Sequence, residues 1–369
     1  MKNKLFTVGV EEEYMICDTS SYELTDRADQ IMHSLNDNEK NRYSYELLLS
    51  EIESNTPICK DVRESISEIV KNRNRLREIG NNLDFNIGIS GTHPTALPEN
   101  QNFVNNESYN WVSAELSEYA RQNITFSTHV HIGLNNKDKI IKVMNIANGW
   151  IAPMIALSAN SPFFAGIKTG MQSSRTFQFG IFPRTNIVHN LKDYNDYMKI
   201  VDNLKISNAI GKQRHIWWKI RPHVKYGTIE FRVCDIQRSL KRTEMIIAIT
   251  QALVHKIYTD LENNKSFNDY NMEYLNDGIW KASSFALSSK IICPMKEDVI
   301  NMRTAVDRML DYIHSSLVYF GNEKIIKTVE KILNQGTEAD NQIDIYKKSG
   351  FTGLKKYLVD SVEYNMIKE

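Results

Sequence analysis

Cysteine is scarce in this chain of 369 residues, which contains only four. Cys17, Cys59, Cys234 and Cys293 lie far apart, and no two of them form a CxxC pair. The disulfide framework of a small secreted protein is therefore not indicated, and neither is a zinc site built on thiolates. The spacing instead favours a protein of the reducing cytoplasm.

The chain also lacks an excess of either charge, because 45 Lys and Arg residues balance 45 Asp and Glu residues. A protein dedicated to nucleic acid or to an anionic membrane usually carries a basic excess, so we expect neither partner. No run approaches the ~20 apolar residues of a membrane span. Glu11 interrupts the apolar start of the chain, so no signal peptide is predicted. We therefore expect a soluble, cytoplasmic protein.

Two common nucleotide-binding signatures are missing. The sequence has no G-x-x-x-x-G-K-[ST] loop and no G-x-G-x-x-G turn, and the segment GIKTG at 166–170 lacks the spacing of the first. Neither a Walker nor a Rossmann site is therefore indicated. Internal repeats and long linkers are missing as well, so we expect a single domain over residues 1–369.

Helical periodicity is clear in two places before residue 241 and dominates after it. Residues 61–80 predict an amphipathic helix, with Asp61 as its N-cap and Gly80 just beyond its end. Residues 138–157 predict an apolar helix. The portion from about residue 241 is mostly helical, with helices predicted at 243–262, 274–290, 297–318, 324–334 and 340–369.

An acidic strand lies near the start of the chain. Residues 7–16, TVGVEEEYMI, are rich in the β-branched and aromatic types that strands favour. Side chains alternate on a strand, so Glu11 and Glu13 share one face, about 6.6 Å apart, and Glu12 points to the other. Two interpretations stay open: an exposed edge strand with solvated acids, or a carboxylate pair that holds a divalent metal ion.

Further acids occur within the apolar segment 43–57, which predicts one or two strands that end at Pro57. Glu46, Glu51 and Glu53 lie inside this segment. A buried carboxylate is costly without a partner, so these acids need a counter-charge.

A third strand, FSTHVHIGL at 126–134, has one apolar face and one polar face. Ser127, His129 and His131 share the polar face. Two histidines on one strand face can bind a metal ion or contact phosphate, since imidazole is a common ligand. A pair of hydrogen-bonded histidines packed over the core would show the same pattern, and the sequence leaves both interpretations open.

A fourth strand follows a basic segment, within residues 216–235. From Thr228 onward the alternation is strict, and it places Glu230 and Arg232 on one face. This pair could form a plain ion pair. Together with Arg221 and Lys225 upstream, it could instead hold a metal ion and the phosphates of a nucleotide, for which Arg221, Lys225 and Arg232 are the binding candidates.

Four strand segments thus each direct acids, histidines or basic residues to one face. An oxygen-rich set with an imidazole suits Mg²⁺ or Mn²⁺, which favour carboxylates and substrate phosphates. The chemistry indicated is phosphoryl transfer from ATP, in which metal ions clamp the phosphates and arginine balances the developing charge.

The same residues resemble a known family, the carboxylate-amine ligase branch of the glutamate–cysteine ligases of type 2. The resemblance spans nearly the whole chain, and it rests on the motifs GVEEEY (9–14), EIESNTP (51–57), SGTHP (90–94), STHVHIGL (127–134), LSANSP (157–162), RPHVKYGTIEFRVCD (221–235) and TEADNQIDIYKKSG (337–350). It implies an α+β fold related to glutamine synthetase and the guanido kinases. In this fold, an antiparallel sheet curves into a funnel-shaped active site and helices pack outside.

The resemblance also implies roles for single residues. The positions that match the family's metal ligands are Glu11, Glu13, Glu46, Glu53, His129 and Glu230. Arg232 and Arg175 match positions that meet phosphate or the substrate carboxylate, and they are the candidate catalytic residues. One departure is visible, because the family usually carries arginine at the position of Ser284 and glycine at that of Ala286. It puts the usual substrate pair in doubt.

The function expected from this resemblance is ATP-dependent amide formation. ATP phosphorylates a small-molecule carboxylate similar to glutamate, and an amine attacks the acyl phosphate. Two alternatives stay open: a small-molecule kinase on the same fold, and a non-catalytic module that binds nucleotide or metal. A homo-oligomeric state is also left open.

Overall fold

A central sheet of seven strands organises the computed structural model, which describes residues 5–223 and 225–366 and, for Ser108, the backbone alone. The strands of the chain are β1 (Val8–Asp18), β2 (Tyr43–Tyr45), β3 (Glu51–Asn55), β4 (Phe85–Gly88), β5 (Ser127–Gly133), β6 (Phe163–Phe164), β7 (Ile167–Lys168), β8 (Ile220–His223), β9 (Thr228–Asp235), β10 (Lys290–Ile292) and β11 (Val299–Asn301). The central sheet has the order β2-β3-β1-β5-β9-β8, and β4 pairs with the second half of β1. Neighbouring strands run antiparallel.

Helices cover the apolar face of this sheet. The helices are α1 (Ala28–Ser34), α2 (Val62–Leu83), α3 (Glu107–Leu116), α4 (Lys137–Ala147), α5 (Ile151–Ser158), α6 (Ser174–Gly180), α7 (Tyr194–Ile206), α8 (Leu240–Glu262), α9 (Met272–Phe285), α10 (Met302–Phe320), α11 (Ile325–Gln335) and α12 (Glu338–Asp360). Helices α2, α4, α5 and α8 pack on the strands. Their core includes Val10, Val130 and Phe231, all buried. The opposite face of the sheet is left to polar side chains, and the predicted α+β fold is confirmed.

The end of α2 corrects one prediction. Asp61 is the N-cap as expected, since its Oδ1 accepts the N–H of Glu64 at 2.8 Å. The helix continues past Gly80, however, and ends at Leu83, and the next residue, Asp84, has a left-handed φ of 52°. Gly80 is required for a different reason: a Cβ at this position would lie 2.4 Å from the carbonyl oxygen of Phe85, where the chain returns as β4.

Several predicted helices of the C-terminal portion are shorter than expected. The helix predicted at 297–318 begins only at Met302, because β11 pairs with β10 in a hairpin. The helix predicted at 340–369 ends at Asp360 and is kinked at Gly350, where φ is 62°. Residues 367–369 lie outside the described part of the chain. The short helices α3, α6 and α7 were not predicted.

The segment Lys137–Ser158 has the length and mean hydropathy, 1.4, of a membrane span. In the structure it forms α4, a 3₁₀ turn and α5, and 83% of its apolar window is buried inside the protein. Its apolar character is therefore that of core helices.

A buried ion pair joins β1 to α2. Glu12 accepts hydrogen bonds from Arg73, with Nη2–Oε1 at 2.7 Å and Nε–Oε2 at 3.0 Å, and both side chains are fully buried. Tyr14 also donates its hydroxyl to Glu12. Arg73 satisfies its remaining N–H groups on the main-chain carbonyls of Gln237, Arg238 and Glu363. One arginine thus ties β1 and α2 to the start of α8 and to the C-terminal segment.

We expect Arg73→Met to lower the free energy of unfolding by about 3–5 kcal/mol, because it leaves the carboxylate of Glu12 buried without a cation. Urea denaturation followed by circular dichroism measures this loss. Arg75→Met is the matched control on the same helix: Arg75 pairs with Glu39 at 2.7 Å, but both side chains are partly exposed, so we expect a loss of about 1 kcal/mol or less. Equal losses in the two variants would contradict the importance of the buried pair.

Ala286 lies directly after α9 in a strained conformation. Its φ is 41° and its ψ is −122°, a combination that glycine adopts readily and that costs other residues of order 1–3 kcal/mol. The side chain is buried. The alanine that stands where the resemblance implies a glycine is therefore accompanied by backbone strain.

Replacing Ala286 with glycine removes this strain, although glycine also gains freedom in the unfolded chain. We expect Ala286→Gly to raise the free energy of unfolding by about 1 kcal/mol, measured by thermal or urea denaturation. A decrease in stability would show that the backbone at Ala286 is not strained.

Candidate active site

The antiparallel register brings polar residues of four strands together on the open face of the sheet. Side chains of paired residues lie side by side on the same face. The pairs on this face are Glu13–Glu53, Glu11–His129, His131–Glu230 and Arg221–Glu230. The polar residues predicted for one face of each strand thus form one continuous row, which we call the carboxylate row.

Three groups of ligand atoms follow one another along the carboxylate row. Within each group, the atoms lie within 4.8 Å of one another, and the groups are Glu13–Glu46–Glu53, Glu11–Glu53–His129 and Glu11–His131–Glu230. Glu53 belongs to the first two groups and Glu11 to the last two, so the three positions adjoin. The structure brings together the six residues predicted as metal ligands and adds His131, whose role was left open.

The acids at one end of the row repel one another. Burial raises the pKa of Glu53 well above its usual range, and the charges of Glu11, Glu46 and Glu13 raise it further. Burial, Glu13 and Glu51 act in the same direction on the pKa of Glu46. Glu51 has a buried carboxylate oxygen that meets no hydrogen-bond partner among the described residues. This end of the row therefore holds more negative charge than the surrounding protein balances.

His129 and His131 partly balance the negative charge at the other end of the carboxylate row. Nδ1 of His129 and Nε2 of His131 each lie 3.1 Å from an oxygen of Glu11. Burial alone would raise the pKa of Glu11, but the two histidines hold it well below its usual range. Burial lowers the pKa of His131, but Glu11 and Glu230 outweigh this effect and raise it. Both histidines are thus hydrogen-bonded, and the bonds use the nitrogens that a metal ion would need.

Glu230 is held between two arginines. Arg221 contacts it with Nε–Oε2 at 2.5 Å and Nη2–Oε1 at 3.2 Å, and Arg232 donates to Oε1. Burial opposes ionisation of Glu230, but the two arginines hold its pKa well below its usual range. The ion pair that was one of two interpretations of this strand is present, and it belongs to the same row as the acids.

Arg175 and Lys219 form a cationic corner beside Arg232. Arg175, on α6, is buried; its Nη2 donates to the main-chain carbonyl of Arg232 at 3.0 Å, and its Nε meets no partner in the described ranges. Lys219 is buried next to it, and burial and the charge of Arg175 lower its pKa to about 7. Lys219 was not predicted as a site residue, although a lysine between Trp218 and Ile220 at the start of a strand was a visible signal.

Two cavities adjoin the row. One, of about 70 Å³, has an acidic and cationic side that includes Glu13, Glu46, Arg175 and Arg232, and an aromatic side formed by Tyr109, Phe179, Phe182 and Trp217. The other, of about 250 Å³, is lined by Arg214, Arg221, His223, Lys225 and Tyr226 among others. The predicted cationic residues therefore separate: Arg175 and Arg232 line the first cavity, Arg221 and Lys225 the second.

The positions of two further residues considered from the sequence, Lys225 and His93, are simple to describe. Lys225 lies exposed in the turn between β8 and β9, with Nζ 5.4 Å from the ring centre of Tyr226. His93, in the SGTHP motif, is buried outside the row. Its Nδ1 accepts the N–H of Ala96, and its Nε2 donates to the carbonyl of Tyr22. His93 thus stabilises a turn.

The row fits divalent metal ions of the hard type. Its donors are carboxylate oxygens with one imidazole in two of the three groups, which is the set that Mg²⁺ and Mn²⁺ accept. The orphaned oxygen of Glu51 and the repulsion among the neighbouring acids are the features that a bound cation would relieve.

The fold is shared with two ligases of known structure. Glutamate–cysteine ligase of Francisella tularensis, solved in complex with AMP, aligns with 98% of this chain and 88% of its own at a TM-score of 0.69 and 12% identity. A bifunctional glutathione synthetase of Pasteurella multocida aligns with 97% of this chain and 53% of its own, also at a TM-score of 0.69 and 12% identity.

Sequence comparison gives the family. The model of glutamate–cysteine ligase family 2 matches residues 7–352. Two curated relatives carry the provisional name of glutamate–cysteine ligase 2. The protein of Chloroflexus aggregans is 32% identical over 360 residues, 97% of this chain and 91% of its own, and that of Sorangium cellulosum is 30% identical over 346 residues, 93% and 92%. The chain belongs to glutamate–cysteine ligase family 2, and it is an ATP-dependent carbon–nitrogen ligase.

The electrostatics of the row predict a pH-dependent stability. Between the ordinary pKa of 4.5 and its raised value, Glu53 keeps a proton in the folded protein that the unfolded chain has lost, so stability falls as pH rises through this window. In the presence of chelator, we expect Glu53→Gln to raise the melting temperature at pH 8 by on the order of 2 °C and to leave it unchanged at pH 4.5. Differential scanning calorimetry measures both values.

Glu99→Gln serves as the control for this prediction, since Glu99 is exposed and lies away from the row. We expect no change from it at either pH. A lower melting temperature for Glu53→Gln at pH 8 would mean that the acids of the row are not in mutual repulsion.

Proposed function

We propose that this chain joins the carboxyl group of a glutamate-like acid to an amine through an acyl phosphate. The observation that carries the proposal is the position of the carboxylate row between two cavities that each contain arginines. A row of three adjoining ligand groups can hold divalent ions, and these ions can bind the phosphates of ATP along its length. The two cavities then supply separate places for the nucleotide and for the acid whose carboxylate is activated.

The cavity around Arg214, Arg221 and Tyr226 suits the nucleotide. It is the larger of the two, its arginines can meet phosphate oxygens, and Tyr226 offers an exposed ring for stacking. Arg221 already contacts Glu230, so it lies where the nucleotide cavity joins the carboxylate row. Lys225, exposed at the turn, is the outermost cation of this cavity.

The smaller cavity suits the acid. Arg175 and Arg232 can pair with its carboxylate, and the ring of Phe179 lies 5.9 Å and 5.7 Å from their guanidinium carbons, which helps to fix their orientation. Divalent ions held by the carboxylate row would neutralise the phosphates during transfer. The aromatic side of the cavity, with Phe182 and Trp217, limits the access of water to a reactive acyl phosphate.

The chemistry then proceeds in two displacements. An oxygen of the acid attacks the γ-phosphorus of ATP, and the bond to the β-phosphate oxygen breaks to release ADP. The amine nitrogen next attacks the acyl carbon, loses a proton, and the carbon–oxygen bond to phosphate breaks. Arg232 and Arg175 both line the smaller cavity, so they can hold the acid in both steps.

The whole chain is proposed to act as one catalytic domain. The row draws on strands from β1 to β9, and α8, which follows them, packs on β5 from behind. We also infer a reducing, cytoplasmic location, which is supported by four cysteines that are all buried and unpaired.

Coupling of ADP release to the amine tests the proposed function. With ATP and L-glutamate alone, we expect slow ADP formation, and we expect a large increase when the correct member of a panel of amines is added. Phosphate should appear one for one with ADP, and mass spectrometry should find an amide without phosphorus. A stable phosphorylated acid that forms without amine would contradict the ligase mechanism and identify a kinase.

The role of Arg232 is tested by Arg232→Lys, which keeps the charge but loses the planar pair of donors. We expect kcat for ADP formation to fall by about 10²-fold with an unchanged melting temperature. Arg63→Lys, on the exposed side of α2, is the control and should match the wild type. Wild-type kinetics for Arg232→Lys would mean that this arginine only neutralises Glu230.

A further inference from the structure

A cavity of about 500 Å³ lies apart from the carboxylate row, between the first turn of α8, helix α11 and the start of α12. No residue of the row lines it. Its volume falls within the range of small-molecule sites in proteins. It is open to solvent on one side.

The walls of this cavity carry more positive than negative charge. Six basic residues line it against three acidic ones: Arg238, Lys241, Arg242, Lys324, Lys327 and Lys331. The acids are already engaged. Glu244 pairs with Lys324 at 2.7 Å, Glu338 with Arg238 at 3.0 Å, and Glu363 accepts the N–H of Leu240 at 2.8 Å.

Three of the cations are left without a carboxylate among the described residues. Nη2 of Arg242 donates to the carbonyl of Gly336 at 3.3 Å, but its Nη1 is buried and meets no hydrogen-bond acceptor there. Lys327 and Lys331 are exposed, lie one turn apart on α11, and form no ion pair within the described ranges. Like charges at this helical spacing repel each other, and a buried guanidinium nitrogen without an acceptor is costly.

The backbone adds to the positive electrostatic potential of the cavity. Helix α8 spans 23 residues and begins at this cavity, and its N-cap residue, Ser239, makes no side-chain capping bond. The N-terminal end of a helix attracts negative charge. The cavity thus combines three cations that form no ion pair in the described structure with the N-terminal end of a long helix.

We propose that this cavity binds a small polyanion, a molecule with two or more adjacent negative charges, between Arg242 and the lysine pair Lys327 and Lys331. The site is separate from the one proposed for the ligase reaction and does not depend on that proposal. The chemistry that it recognises is that of a pyrophosphate group or a compact polycarboxylate.

Calorimetric titration with inorganic pyrophosphate tests this site. The full chain is used, in buffer freed of divalent ions by a chelating resin, so that no metal ion recruits the anion to the carboxylate row and no soluble polycarboxylate chelator competes for the cavity. We expect one pyrophosphate to bind per chain, and the double variant Lys327→Glu/Lys331→Glu to weaken binding at least about tenfold. The matched control, Lys60→Glu/Lys296→Glu, changes two exposed lysines elsewhere by the same charge and should bind like the wild type.

Two further measurements complete the test. Melting curves establish that the variants are folded, and Arg242→Gln, which removes the buried donor, should weaken binding in the same direction. The proposal is overturned if the wild type binds no pyrophosphate, or if the control loses as much affinity as the α11 variant. It is also overturned if Arg232→Lys abolishes binding while the α11 variant retains it, since the anion would then lie on the sheet.

Discussion

Three consecutive glutamates on β1 lie in two different environments, and the rest of the structure depends on this difference. Glu12 points to the helical side, where Arg73 balances its charge within the core. Glu11 and Glu13 point to the open face, where no arginine contacts them in the described structure. Glu11 lies against two histidines, and Glu13 accepts the N–H of Ser127 at 2.7 Å. One strand therefore carries both the ionic anchor of the fold and the acids of the site.

Within this single sheet, the acids of the site lower the stability of the protein and the ionic anchor raises it. Burial and mutual repulsion raise the pKa of Glu46 and Glu53 and destabilise the metal-free protein at neutral pH. The Arg73 network opposes this loss, because it joins β1 and α2 to the segment before α8 and to the C-terminal segment. A second local cost in stability is the strained backbone of Ala286. Ala286 lies shortly after Ser283, and the carbonyl of Ser283 accepts the N–H groups of Gln172 and Ser173 just before α6. The strain therefore lies near the helix that carries Arg175.

Strand alternation was enough to predict which residues share the open face, because the period of two is a local property. The sequence could not show which residues oppose one another, since that depends on the register between strands far apart in the chain. The β5–β9 pairing even shifts register between Thr128 and Val130. The partner of Glu12 lies 61 positions away on α2, where nothing in the sequence distinguishes Arg73 from the exposed arginines of the same helix. Glu46 reaches the row from the segment between β2 and β3. The helix α6, with seven residues, has too few turns for a clear periodicity.

The most direct test of this account is a crystal structure of the protein with Mn²⁺ and a non-hydrolysable ATP analogue, with the metal located by its anomalous scattering. The account predicts manganese ions on the carboxylate row, at least one of them bound by Glu11, Glu53 and His129, with the analogue's phosphates between the ions and Arg221. A row free of manganese, with the analogue bound elsewhere on the protein, would contradict it.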